Sequence, residues 1–358
     1  MPGMNCTAPP AFQSTPQPAP SPHAGASHRQ PVRAGRFVGA APVVASLLLV
    51  AGCGGGSSTE DAGQGPFDAR IAAARTTASA NAECVRIQPF YWEIGDASAR
   101  IHGESVNGSG TSGYRSDSVM AIASASKWLY AAYVAQVRGG ALTDSDVQHL
   151  GFRAGYSEFS SCALAGTVGG CLSIGDNGVQ NPADVGFFAY GGGHMQNHAA
   201  RVLGLDTLGS NELAAELRSR LGTEIALDFG QPQPAGGVNT SAAEYAKFLR
   251  KLLSGSLALG SRLGANAVCT NPSTCSSARN APTPPGESWS YSLGHWIEND
   301  PAVGDGAYSS PGLFGFYPWI DSSRRWYGVV ARVDLAGAVD SAQCGRLIRR
   351  AWVTSTPQ

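Results

Sequence analysis

Lysine is almost absent. Of 25 cationic side chains in the 358-residue chain, only Lys127, Lys247 and Lys251 are lysines; the rest are arginine. Charge of either sign is scarce: 14% of residues are charged, the formal net charge is −1, and no basic stretch or stripe occurs. That excludes the electrostatic footprint of a nucleic-acid binder. No Cys-x-x-Cys or Cys/His spacing of the usual zinc-binding kind occurs, which argues against a structural metal. No period of 20–50 residues recurs, which argues against a solenoid. What is abundant is glycine (46) and proline (22), together with 43% apolar residues. These imply a large core, many turns and long loops rather than a helical bundle.

Residues 1–35, rich in Pro, Ala, Ser and His, carry no usable apolar pattern. Arg29, Arg33 and Arg36 precede an apolar run from Phe37 to Ala51, too short to cross a bilayer comfortably and suited to a signal-peptide core. The run closes on Leu49-Val50-Ala51-Gly52-Cys53 before Gly54-Gly55-Gly56-Ser57-Ser58, which resembles a bacterial lipobox. The expectation is a signal peptide over 1–53, lipidation at Cys53 and a flexible linker over 54–66. A folded domain over 67–353 and a short tail over 354–358 follow. Such a protein sits in the cell envelope facing the periplasm, and the residue after the cysteine, Gly54, favours the outer membrane.

Export places the remaining six cysteines in a disulfide-permissive compartment. Cys162 and Cys171 bracket a Gly-rich loop, and Cys269 and Cys275 bracket Thr-Asn-Pro-Ser-Thr. Cys84 and Cys344 remain, and a bridge between them requires the first and last elements of the fold to lie side by side.

Periodicity predicts helices over Phe67–Asn81, Met195–Leu203, Asn211–Leu221, Ser241–Leu253 (capped by Thr240 or Asn239) and Asp340–Val353. It predicts strands over Cys84–Gly95, Ala99–Val106, Trp289–Glu298, Gly312–Asp321 and Trp326–Val333. Residues 141–189 read as loop with short helical pieces. Strands at both ends with helices between them indicate an α/β (α+β) domain, an antiparallel sheet flanked by helices and interrupted by a helical insertion.

The chemistry centres on Ser124-Ala125-Ser126-Lys127. After the extended lead-in Val119–Ala123, a helix begins that ends at Gly139-Gly140. One helical turn separates Ser124 from Lys127, so hydroxyl and amine can meet. Serine needs a base to become a nucleophile, and a lysine desolvated by apolar neighbours can be that base. Lys247 and Lys251, one turn apart on another helix, read as a solvated face. His194 and His198 have a helical metal-binding spacing but no third ligand nearby, so they read as hydrogen-bonding histidines near a pocket rim, with no metal.

Five stretches together, in order, resemble the serine β-lactamase and penicillin-binding-protein superfamily, on its class C β-lactamase and esterase branch. They are Ile122–Lys127, Tyr190-Gly191-Gly192, Pro234–Tyr245, Tyr291–Trp296 and Ser309–Asp321, and the likeness spans residues 67–353. It implies Ser124 as nucleophile, Lys127 as base and Tyr190 as proton shuttle. It implies an oxyanion hole from the backbone N–H groups of Ser124 and Leu313, and substrate contacts at Gly192, Ser310, Gly312 and His295. Gly312 would leave room for substrate along a strand. No cofactor is implied.

The second motif lacks its Asn, with Gly at 192 and Gln196 or His194 as the available replacements. In the third motif Ser310 and Pro311 stand where the family has a cation and a threonine that hold a substrate carboxylate. The expected activity is therefore an exported serine hydrolase, esterase- or amidase-like, acting through an acyl-enzyme on a small ester, amide or peptide. The alternatives are a β-lactamase or DD-peptidase, and a catalytically silent envelope-binding member. The expected partners are small-molecule substrate and a membrane reached through the N-terminal lipid, with the protein a monomer.

Overall fold

A computed structural model of the chain describes residues 65–110 and 113–358. The expected signal peptide, Cys53 and nearly all of the linker fall outside the described residues.

The strands of the main sheet are β1 (Phe90–Gly95), β2 (Arg100–Val106), β3 (Val268–Cys269), β4 (Ser290–Ser292), β5 (His295–Glu298), β6 (Ala307–Ser309), β7 (Tyr317–Ile320) and β8 (Tyr327–Ala331). They order as β2-β1-β8-β7-β6-β5-β4-β3, and every pairing is antiparallel. The chain makes two strands, leaves the sheet for a long helical excursion, and returns to make the other six. The helices used below are α1 (Asp68–Ala80), α2 (Ser126–Val137), α3 (Asp144–Leu150), α4 (Gly193–Asn197), α5 (Ser210–Leu221), α6 (Ala242–Leu253) and α7 (Ala338–Thr354).

Alternation along the strands sends neighbouring side chains to opposite faces. Tyr317 and Val330 meet α7 at Gly345, where a Cβ would lie 2.4 Å from the Tyr317 ring. Tyr327 turns the other way and accepts a hydrogen bond from Arg250 of α6 at 2.9 Å. The sheet is thus sandwiched between α7 with α1 on one side and α6 on the other. Helix α2 lies deepest: every residue from Ser126 to Ala135 is buried. A helix apolar all round belongs inside a core, which is why its sequence shows no polar face.

Among the described residues the bridges are Cys84–Cys344, Cys162–Cys171 and Cys269–Cys275, the pairings read from the sequence. The first joins the turn after α1 to α7, so the beginning and end of the domain do lie side by side.

Several boundaries differ from expectation. Residues Ala82–Val85 form a helical turn because the Asn81 side chain accepts the Glu83 N–H, so the strand begins only at Phe90. Trp289–Glu298 is a hairpin, not one strand: the chain reverses at Leu293-Gly294, where φ is +72° and glycine is needed. The strand expected over Gly312–Asp321 is confined to Tyr317–Ile320 and pairs with β6, which was not foreseen. Ser241, not Thr240 or Asn239, caps α6 by accepting the Glu244 N–H. The helix expected over Met195–Leu203 starts at Gly193 and widens into a π turn over His198–Val202. The tail is docked: Gln358 donates its N–H to Thr77 Oγ1 and its carbonyl accepts from Asn81.

Candidate active site

The turn that carries Ser124 is built under strain. Ala123 has φ +44°, in the left-handed region that a residue with a Cβ avoids at a cost of about 1–3 kcal/mol. A 3-10 turn over Ala123–Ala125 then leads into α2. Three holds fix this geometry, all from the segment Pro234–Tyr245. Ile122 donates its N–H to the Val238 carbonyl, Val238 donates its own to Ser126 Oγ, and the Tyr245 hydroxyl donates to the Ala125 carbonyl at 2.8 Å.

The outcome is that Ser124 stands at the wall of a cavity of about 190 Å³ while Lys127 lies behind it. Lys127 Nζ is 2.9 Å from Ser124 Oγ and 2.9 Å from the Ala235 carbonyl, to which it donates. Only 5% of Lys127 is exposed, and burial alone lowers its pKa to about 7. Among the described residues no carboxylate is bonded to it. A charged ammonium in that position would have lost its water with no counter-charge to offset the loss, so the neutral amine is competitive near neutral pH.

Tyr190 closes the site. Its ring stacks on Trp296 with centroids 5.4 Å apart and meets Phe152 edge-on. Its backbone N–H donates to Asn280 Oδ1. Lys127 Nζ lies 5.0 Å from the ring centre. Burial pushes the phenol up to about 12, while the nearby Ser124 hydroxyl acts against that rise. The structure therefore brings serine, amine and phenol into one cluster.

The other expected site residues fare differently. The Ser310 hydroxyl donates to the Ser124 carbonyl at 3.1 Å, so it braces the Ser124 backbone and does not stand in for a cation. Gly312 is required by its neighbour, not by substrate: a Cβ there would lie 2.1 Å from the Ile122 carbonyl. Gly192 faces the Phe159 ring, with a Cβ position 2.9 Å from it, and does not line the cavity. His295 is fully buried and stacked on Trp128; it accepts the Gly264 N–H and contacts the Leu293 carbonyl. Its burial lowers the imidazole pKa to about 4, so it is a neutral core histidine rather than a substrate contact.

Neither candidate for the missing asparagine reaches the lysine. Gln196 donates to the Val168 and Pro232 carbonyls, and His194 contacts the Ala189 carbonyl. The second bond of Lys127 goes to the Ala235 carbonyl, and a backbone acceptor leaves no mark in side-chain identity. His194 and His198 are not rim residues. His194 is buried against Phe152, and His198 bridges Tyr130 and Asp146 in the core. No metal-binding cluster exists among the described residues.

Leu313, 53% exposed, forms the cavity's edge. Among the described residues no acceptor takes the N–H of Ser124 or of Leu313. Missed from sequence were the lining residues Trp289, Pro282 and Pro284 and the first turns of α7. The proline cluster Pro282-Thr283-Pro284-Pro285 was the available signal for the prolines. Lys247 and Lys251 do not line this cavity and are paired with Glu244 and Glu224.

No family profile and no curated protein matches the sequence. Solved structures do match. A penicillin-binding-protein homologue from Caulobacter crescentus superposes with a TM-score of 0.60 at 13% identity, over 80% of this chain and 97% of that one. A D-amino acid amidase from Ochrobactrum anthropi gives 0.54 at 11% identity, covering 73% and 95%. A β-lactamase from Mycobacterium bovis gives 0.50 at 16% identity, covering 75% and 96%. The chain has the fold of the β-lactamase and penicillin-binding-protein-like serine hydrolases, reached with little sequence in common.

Proposed function

We propose that this protein is an exported serine hydrolase that works through an acyl-enzyme on an uncharged ester or amide. The observation that carries the reading is the 2.9 Å contact between Ser124 Oγ and an amine whose pKa burial has lowered to about 7. Ser124 Oγ attacks the carbonyl carbon as its proton passes to Lys127 Nζ. The N–H groups of Ser124 and Leu313 receive the developing oxyanion, a contribution on the order of 10²–10³ in rate per donor. Collapse breaks the bond to the leaving group, and the proton returns to it through Tyr190. Water then attacks the acyl-enzyme by the same route in reverse, releasing the acid and restoring Ser124. Ser310 is committed to the Ser124 carbonyl and no arginine or histidine lines the cavity. A substrate carboxylate would find no counter-ion there, which favours an esterase or amidase over a β-lactamase or DD-peptidase.

A fluorophosphonate should label Ser124, located by peptide mass spectrometry. The profile of kcat/KM should rise with pH to a plateau with a midpoint near 7. The sign follows from the role: the base works only when unprotonated, so each pH unit below the midpoint should cost about tenfold. Label on another serine, or a flat profile between about pH 5.5 and 8.5, would remove this mechanism.

The lipobox reading adds a location. Three disulfides accounting for six of the eight cysteines fit an oxidising compartment. Cys53→Ser should move the protein from the membrane fraction to the soluble one with hydrolytic activity retained. Unchanged partition into membranes would discard the lipid anchor.

A further inference from the structure

The cavity at Ser124 is lined by two kinds of apolar side chain. Some are aromatic or prolyl: Tyr190 stacks on Trp296, Trp296 meets Trp289 edge-on at 5.8 Å, and Pro282, Pro284 and Pro311 line the same space. The others are aliphatic: Leu313, and Ala338, Val339 and Ala342 on the first turns of α7. Besides the Ser124 hydroxyl, the Tyr190 phenol and the Trp indoles, the lining side chains carry no polar group. One indole is already engaged: Trp289 Nε1 donates to Glu287 at 2.7 Å. Glu287 in turn is held by Arg346 at 2.7 Å, so its charge is balanced away from the cavity.

We infer that this cleft selects an acyl group that is bulky, uncharged and apolar, an arylalkyl or medium-chain aliphatic acid, and rejects both acetyl and carboxylated acyl groups. The inference rests on the hydrolase reading and narrows it to a substrate class. Size supports it. A cavity of about 150 Å³ lined by aliphatic and aromatic groups suffices to hold a benzene ring, and this one measures about 190 Å³. Position supports it as well. Ser124, Leu313 and the α7 residues Ala338, Val339 and Ala342 line one cavity, so an acyl group held at Ser124, with its oxyanion on the Leu313 N–H as proposed, has this apolar lining within reach. Each methylene buried there adds to transition-state binding until the space is filled, whereas an anionic group would lose its water and gain no partner.

The test is a series of p-nitrophenyl esters from acetyl to dodecanoyl, with phenylacetyl and 3-phenylpropionyl esters and the hemisuccinate added. The full chain is assayed for kcat/KM, and Ser124 occupancy by a fluorophosphonate is measured in parallel. The expected result is a rise of roughly fourfold per methylene to an optimum at intermediate length, with high rates for the arylalkyl esters. The hemisuccinate should be slower than the butyryl ester on the order of 100-fold or more. Ala338→Trp, which fills the aliphatic side, should move the optimum to shorter chains and reverse the ratio of octanoyl to butyryl rates. A flat or falling series, a fast hemisuccinate, or an unmoved optimum in Ala338→Trp, with Ser124 still labelled, would overturn the substrate class and leave the hydrolase standing. Absence of both label and turnover would remove the two together.

Discussion

Replacing Ser124 by alanine is expected to lower turnover of a short-chain ester by at least about 10⁴-fold, the scale seen when a serine hydrolase loses its nucleophile. The expectation follows from what the hydroxyl touches. Oγ lies at the cavity wall with Lys127 Nζ 2.9 Å behind it and the phenol of Tyr190 close by. Among the described residues no second serine hydroxyl bonds that amine, whose partners are Ser124 Oγ and the Ala235 carbonyl. The fold should tolerate the change. The strained Ala123 backbone and its holds from Val238 and Tyr245 do not involve Oγ, and Lys127 keeps the Ala235 carbonyl. Thermal unfolding within a few degrees of wild type should therefore accompany the lost activity. A variant retaining a tenth of the rate would exclude Ser124 as nucleophile.

Lys127→Arg should be nearly as damaging, for two reasons that can be separated. Arginine stays protonated, so it cannot accept the serine proton, and loss of a positioned base lowers rates on the order of 10²–10⁴-fold. It also carries a permanent charge into a space with no carboxylate partner, a cost of several kcal/mol. Lys127→Met removes the base without burying a charge. The prediction is that both variants lose kcat, while only the arginine variant melts markedly lower. Equal melting temperatures for the two would show that the pocket is not dry.

The wild-type lysine adds a pH signature. Between its folded pKa of about 7 and its ordinary value of 10.5, the unfolded chain binds a proton that the folded chain does not. Stability contributed by this group therefore rises with pH across that window and is flat below it. Lys127→Met should lose that slope.

The Ser-Lys pairing could be read from sequence because one helical turn fixes the separation of two side chains whatever surrounds them. The depth of burial followed too, since Trp128 to Val134 offers no polar face. The lysine's second bond could not be read, because its acceptor is the carbonyl of Ala235, 108 positions away in sequence. Gly312 was legible as a required glycine but for the wrong reason; the obstruction is the Ile122 carbonyl, and only the packed turn reveals it. His295 and Gly192 were drawn toward the site by their neighbours in motif-like strings, while the fold turns them to Trp128 and Phe159. Strand β6 escaped notice because three residues carry too little alternation to register. The same shortness hid the hairpin at Gly294 inside what looked like one continuous strand.

The covalent link between Cys84 and Cys344 has a mechanical corollary. The two residues are 260 positions apart, and Ser124, Lys127, Tyr190, Leu313 and the α7 wall all lie in the stretch between them. Tension applied between the chain's ends would run through the sulfur–sulfur bond and bypass that whole stretch. Only α1, the last turns of α7 and the docked tail could be peeled away. The cleft at Ser124 would remain slack under a load that unravels everything outside the loop.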